Sequence, residues 1–320
     1  MARFNTSDEV WKAYQAAEDK YQQGDFNSAQ QLFRQTAKWR ESHLGRNHTD
    51  TLWSKYNVGR SLYKLGRYEE AEGYFQDTAQ GRELTLGEND PNTLWSKYHL
   101  GETQYHLGKY GKASESFSQT ARGRKTALGP DDPDTLWSTY QLAKSLEHLG
   151  KVAEAEQNYS ETVRRREAVF GPRDINTLWS KYAFARLLLH MGKYSEAERV
   201  FRQTAEGREA VLGPEHSDTL WSKYYLAEAL YSQGKVEEAT RFSTAAYPLN
   251  RVPSNQKAPV PAGKSDKQDV FDFPTLMSTQ SISTSSRLLF FLPHGKDELF
   301  FPRATNGRSR QRRTGEDCNS

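Results

Sequence analysis

Thr51-Leu52-Trp53 returns as Thr93-Leu94-Trp95, Thr135-Leu136-Trp137, Thr177-Leu178-Trp179 and Thr219-Leu220-Trp221, each copy 42 residues after the last. No insertion disturbs the interval. A fixed period of this length marks stacked structural units, because every unit must meet its neighbour in the same geometry. Trp11 carries the register one unit upstream, which makes six repeats. Such a stack offers a long continuous surface and rarely gathers catalytic groups, so a binding surface is the first expectation.

Around each triplet the residues spell two helices. Asp50, Asn92, Asp134, Asn176 and Asp218 stand just before the triplets, where a side-chain oxygen accepts from the free amides of a helix start. Helix A runs from there through apolar positions near Leu52, Val58 and Leu62 to a recurring glycine, Gly24, Gly66, Gly108, Gly150, Gly192 and Gly234. Helix B opens at Phe26, Tyr68, Tyr110, Val152, Tyr194 and Val236 and carries Ala29, Ala71, Ala113, Ala155, Ala197 and Ala239. Four residues after the alanine comes a ring, Phe33, Phe75, Phe117, Tyr159 or Phe201. A methyl group followed by a ring one turn later lets two antiparallel helices approach and then fills the space beyond. Helix B stops at Gly45, Gly87, Gly129, Gly171 and Gly213, followed by Pro130, Pro172 and Pro214 in three units.

The small residue of helix A (Ala17, Gly59, Gly101, Ala143, Ala185, Ala227), the turn glycine, the aromatic after it, the helix B alanine and the later ring together resemble the tetratricopeptide repeat. The longer unit is similar to the kinesin light chain type and its fungal multi-repeat relatives. His48-Thr-Asp-Thr-Leu52, Asp132-Pro-Asp-Thr-Leu136, Glu70-Ala-Glu72, Glu154-Ala-Glu156 and Glu196-Ala-Glu198 carry that likeness. The expected fold is all-α, a right-handed superhelical solenoid of six antiparallel helix pairs in units near 8–49, 50–91, 92–133, 134–175, 176–217 and 218–247. The array is taken as residues 1–247, and 248–320 as a low-complexity, disordered tail. Prolines at 253, 259 and 261 and the Ser/Thr run at 278–286 support that division.

The resemblance implies that helix A lines a concave, partner-binding face. Its candidate residues are Tyr56, Asn57, Arg60 and Tyr63; Tyr98, His99, Glu102 and Tyr105; Tyr140, Gln141 and Lys144; Tyr182 and Arg186; and Tyr224 and Glu228. A tyrosine-rich groove with varied charges suits an extended peptide or a helix. The kinesin light chain members carry an Asn pair in helix A that contacts cargo, and only Asn57 survives here, so that cargo specificity does not transfer. The competing reading packs the Trp and Tyr ladders between helices and leaves the charges as solvated surface. The rows His106, His148, His190 and Arg40, Arg82, Arg124, Arg166, Arg208 are read as structural, the arginines as capping carbonyls and pairing with nearby glutamates.

Composition narrows the rest. A net charge of +3 gives no strong field for nucleic acid or anionic membrane. Nothing reaches the length of a membrane span or a signal peptide, and the single cysteine, Cys318, excludes an internal disulfide. Gly263-Lys264-Ser265 lacks the upstream glycine of a phosphate loop, and no zinc or nucleophile motif is present. The expectation is a cytosolic, non-catalytic protein-interaction scaffold without cofactor or metal, self-association being left open. A basic cluster at Arg303 to Arg313 makes a nuclear location the alternative. The rival function is a regulatory or sensor repeat module related to signal-transducing NTPases of the fungal immune-receptor kind.

Overall fold

The structure, a computed structural model, describes residues 4–246. The expected disordered tail, with its basic cluster, lies outside the described residues. Helix A of successive repeats is α1 (Ser7–Gln22), α3 (Thr49–Lys64), α5 (Pro91–His106), α7 (Pro133–His148), α9 (Ile175–His190) and α11 (Ser217–Ser232). Helix B is α2 (Phe26–Leu44), α4 (Tyr68–Leu86), α6 (Tyr110–Leu128), α8 (Val152–Phe170), α10 (Tyr194–Leu212) and α12 (Val236–Ala246). No strand occurs among the described residues. Each helix packs on its chain neighbours, so the core is a line of layers, as a solenoid of stacked helix pairs requires.

The turn from A to B shows why glycine recurs. Gly66 sits at φ 72°, and the turn closes with Gly66 N–H donating to Tyr63 O at 3.0 Å and Arg67 N–H donating to Leu62 O at 2.9 Å. A side chain at that φ would clash with its own backbone, whereas glycine lets the orphan carbonyls of α3 find donors.

Helix A begins earlier than the residues beside the triplets suggest. The caps are His48, Asp90, Asp132, Asp174 and His216, two residues upstream of the expected Asp50, Asn92, Asp134, Asn176 and Asp218. Asp90 Oδ1 accepts from the amides of Asn92 at 2.8 Å and Thr93 at 3.4 Å. Pro91 and Pro133 occupy the first helical turn, where a missing N–H costs nothing, which fixes the true start.

Between paired helices the small-then-large pattern closes the core. Ala71 and Phe75 are fully buried, and a Cβ on Gly59 would stand 3.0 Å from the Phe75 ring. Removing a ring such as Phe75 would cost about 3–5 kcal/mol by the cavity it leaves. A second close approach lies at the far end of α4, where a Cβ on Gly81 would fall 2.6 Å from Leu52.

Candidate functional site

One construction repeats at the junctions and frames the helix A face. Arg82, from the last turns of α4, is buried, and its Nη1 donates to Asn92 O at 3.0 Å and to Ser96 Oγ at 2.8 Å on the following helix A. Its guanidinium lies 4.5 Å from the Trp53 ring and 4.6 Å from the Tyr56 ring of its own repeat. Arg124 takes Asp134 O, Ser138, Trp95 and Tyr98 in the same way. Arg166 takes Asn176 O, Ser180, Trp137 and Tyr140; Arg208 takes Asp218 O, Ser222, Trp179 and Tyr182. Each arginine therefore clasps three helices. The expected pairing with glutamates is corrected: the carbonyls these arginines reach belong to the next helix A. Burial depresses the Arg82 and Arg166 pKa values to about 10, against partial support from nearby anionic and phenolic groups. The serine after each Trp was the signal for this joint.

The clasp consumes much of the expected contact surface. Tyr56, Tyr98, Tyr140 and Tyr182 are buried beneath the guanidinium groups and against the helix B rings Phe75, Phe117, Tyr159 and Phe201. These four form the floor under the face, while Tyr224 is half-buried beside Trp221. The next position along helix A packs back on the preceding repeat. Asn57 Nδ2 donates to Tyr14 Oη at 2.6 Å, Gln141 Nε2 donates to Tyr98 Oη at 3.3 Å, and His99 stacks on Phe75 at 5.4 Å between ring centres.

The varied charges divide likewise. Arg60 is buried, donating to Asn57 Oδ1 at 3.2 Å with its guanidinium 4.5 Å from the Tyr21 ring. Glu102 accepts from Tyr98 Oη at 2.8 Å and lies 3.0 Å from His99 Nδ1. Lys144 is half-buried with its ammonium 4.6 Å from the Tyr105 ring, and among the described residues it enters no ion pair or hydrogen bond. Burial pulls its pKa down, opposed by Glu102 and Glu147. Arg186 is half-buried 5.6 Å from the Tyr225 ring, and Glu228 is exposed with its pKa raised by partial burial.

Tyr63 and Tyr105 edge the face with their histidines. Tyr63 meets Tyr68 at 5.4 Å and His106 at 5.5 Å, and Tyr105 Oη is 2.7 Å from His148 Nε2. His106 and His148 stack on Tyr68 and Tyr110, so both are packing partners within the face. Glu147 belongs to the candidate site, and the sequence reading missed it. It stands where Tyr21, Tyr63 and Tyr105 stand in other repeats, and Tyr159, the hydroxyl in a column of phenylalanines, donates to its Oε2 at 2.9 Å. Both departures lie in one repeat, which is the signal that pairs them. Burial raises the Glu147 pKa against Tyr159, Arg186 and Lys144.

The repeats thus bring Glu102, Tyr105, Lys144, Glu147 and Arg186 into one polar stretch of the helix A face. Among the described residues no group of three or more His, Cys, Asp or Glu is placed to hold a metal ion, and no helix is long and apolar enough to cross a membrane.

Solved structures share this architecture. A putative kinesin light chain of Podosopora anserina with nearly identical TPR-like repeats superposes with a TM-score of 0.59 at 20% identity, over 66% of this chain and 99% of that one. BtubC (BKLC) from P. vanneervenii gives 0.54 at 14% identity over 82% and 100%, and the apo form of RapI gives 0.58 at 10% over 74% and 96%. At these identities the likeness is one of fold. No curated protein matches in sequence. The sequence profile of the tetratricopeptide repeat matches residues 9–83, 54–126, 105–168, 134–210 and 185–251, overlapping windows that follow the helix pairs along the array. With that coverage added to the paired helices and their glycine turns, the chain belongs to the tetratricopeptide repeat family.

Proposed function

We propose that this array is a non-catalytic scaffold that receives a peptide or helix of a partner protein along the helix A face, the side the sequence reading takes as concave. The family and the fold support a protein-interaction scaffold. The observation that carries the finer reading is Lys144. Its ammonium is half-buried over Tyr105 and makes no hydrogen bond or ion pair among the described residues, so it can accept an anionic or carbonyl partner without giving up a contact of its own. Arg186 extends the cationic stretch into the next repeat, and Tyr63, Tyr105 and Tyr224 supply half-buried rings beside it. The buried Tyr56, Tyr98, Tyr140 and Tyr182, with Asn57, His99 and Arg60, hold this surface in place.

The same proposal takes residues 1–247 as the interaction unit and 248–320 as a separate tail, in a cytosolic protein. The test compares affinity capture from native lysate by the full chain and by its Lys144→Gln, Arg186→Gln variant. Loss of the captured proteins with helicity unchanged supports the face. Retention of the same proteins by both sinks it.

A further inference from the structure

The arginine column that joins the repeats stops one repeat before the tryptophan column. Arg82 follows Trp53 at the interval at which Arg124, Arg166 and Arg208 follow Trp95, Trp137 and Trp179, and the same interval from Trp221 ends on Asn250. Arg251, one residue on, falls about 100° round a helix from the required position, and Pro248 lacks the amide that a helix through that point needs. Residues 248, 250 and 251 lie outside the described residues. Trp221 is 40% exposed, whereas Trp53, Trp95, Trp137 and Trp179 are half-buried.

The angle between the two rings decides how well a guanidinium seats. Trp53 with Tyr56 at 85° and Trp95 with Tyr98 at 80° stand edge to face, and their guanidinium groups lie between 4.4 and 4.9 Å from each ring. Trp179 with Tyr182 at 86° holds Arg208 at 4.6 Å from both. Trp137 lies at only 27° to Tyr140, and there Arg166 stands off at 5.3 and 5.6 Å. Trp221 and Tyr224 meet at 84° with ring centres 5.7 Å apart, which is the arrangement of Trp53 and Tyr56. Trp11, at the other end, is 54% exposed but lies at 10° on Tyr14 and forms no such seat. Lys223, next to Trp221 in the chain, is tied to Glu209 at 3.0 Å. Ring faces set edge to face suit a flat, weakly hydrated cation, which a guanidinium is and an ammonium is not. We propose that Trp221 and Tyr224 form a receptor for an arginine side chain of a partner protein, which completes at the end of the array the joint that Arg82 and its counterparts make within it. The carbonyl and serine hydroxyl that hold those arginines belong to the helix that follows, so here the partner supplies its own acceptors. This seat does not depend on the Lys144 stretch and is tested apart from it.

Fluorine NMR of the full chain labelled with fluorotryptophan tests it, the Trp221 resonance being assigned by its loss in Trp221→Phe. The probe is Nα-acetyl-arginine amide. The Trp221 resonance should move saturably with a midpoint of about 10–100 mM, the range of a cation–π contact without further anchoring. The norleucine analogue should leave it in place, and the lysine analogue should need about threefold more. Trp11, exposed but without a seat, reports non-specific association. A Trp221 resonance that stays put, or that moves only in step with Trp11, overturns the proposal. Arg251→Gln should change neither the resonance nor its titration. If that variant shifts the resonance by itself and the arginine probe shifts it back, Arg251 of this chain fills the seat and the assignment to a partner is overturned.

Discussion

Arg82 is the joint between the second and third repeats, and its replacement separates what the guanidinium does by shape from what it does by charge. Its two hydrogen bonds, to Asn92 O and Ser96 Oγ, are worth about 3 kcal/mol together for a charged donor. Its contacts with the Trp53 and Tyr56 rings contribute about 1 kcal/mol each when desolvated. Against these stands the burial of the charge: a pKa depressed to about 10 corresponds to about 3 kcal/mol favouring the neutral form. Nη2 also has no partner among the described residues. Arg82→Ala removes bonds, ring contacts and volume together and leaves a cavity, for a net cost of about 3–4 kcal/mol. Arg82→Met keeps the volume and the ring contacts and removes the desolvated charge, while Ser96 Oγ continues to donate to Asn92 O at 3.1 Å. Its net cost is under about 1 kcal/mol. Urea unfolding followed by far-UV circular dichroism measures both, and hydrogen exchange should place the weakening in α4 and α5, because a solenoid's coupling is between neighbours. If the Met variant falls as far as the Ala variant, the hydrogen bonds alone hold the joint and the balance drawn here is wrong. If the Ala variant loses less than about 1 kcal/mol, the clasp is no joint at all.

Two glycines of α4 should respond oppositely to alanine. A Cβ on exposed Gly73 meets nothing within 4 Å, so Gly73→Ala raises stability by about 0.5–1 kcal/mol, whereas Gly81→Ala must displace Leu52 and lowers it by about 1–2 kcal/mol net, both read from urea midpoints. Burial pulls the Glu198 pKa up, but bonds from Lys235, Arg202 and Gln233 overcome it and hold the group at about 2. The resulting stability is present above the ordinary carboxylate pKa and lost as pH falls toward 2, so Glu198→Gln should speed amide exchange in α12 at pH 7, and that difference should vanish near pH 2. Glu147 has the opposite sign: burial raises its folded pKa, so its contribution is greatest below the unfolded carboxylate pKa and declines as pH rises through the folded value. Glu147→Gln keeps an acceptor for Tyr159 and cannot ionise, and should unfold at higher urea than wild type at pH 7 while matching it at pH 4. A less stable Gln variant at pH 7 would mean that attraction from Arg186 and Lys144 outweighs desolvation.

The period, the glycine turns and the Ala71–Phe75 pattern were legible because they answer to backbone conformation and volume, which a residue type states directly. The helix starts were legible in kind but misplaced by two residues, since Asp50 and its counterparts offer the same cap chemistry as Asp90 and its counterparts. Pro91 and Pro133 would have decided it. The arginine column was visible and its destination was not. An arginine in the last turns of a helix ordinarily reads as a solvated cation near the carbonyl end, and only the stacking of the next repeat shows its fork reaching Ser96. For the same reason the tyrosines looked like contact surface. The letters give the face of the helix, while burial depends on what the previous and following repeats lay over it.

Departures from the repeat carry more information than the repeat, and they gather around Lys144. At four junctions a lysine of helix A meets a glutamate of the preceding helix B: Lys55 with Glu41 at 2.7 Å, Lys97 with Glu83 at 3.0 Å, Lys181 with Glu167 at 2.5 Å and Lys223 with Glu209 at 3.0 Å. At the junction of the third and fourth repeats the lysine is Thr139 and the glutamate is Lys125. Arg165, standing where Gly81, Gly123 and Gly207 stand elsewhere, reaches across that junction to Asp131 at 2.6 Å. A cation from helix B thus replaces a cation from helix A, and the layers remain tied. The same fourth repeat exchanges a ring for Glu147 and a phenylalanine for Tyr159, each answering the other. A buried or half-buried change in a solenoid must be compensated by its immediate neighbours, because no distant part of the fold touches it. Two compensated exchanges therefore fall in one repeat, each answered by an immediate neighbour. Lys144, half-buried and without an acceptor among the described residues, lies in that same repeat, so the proposed interface is centred on α7 and its test belongs there first.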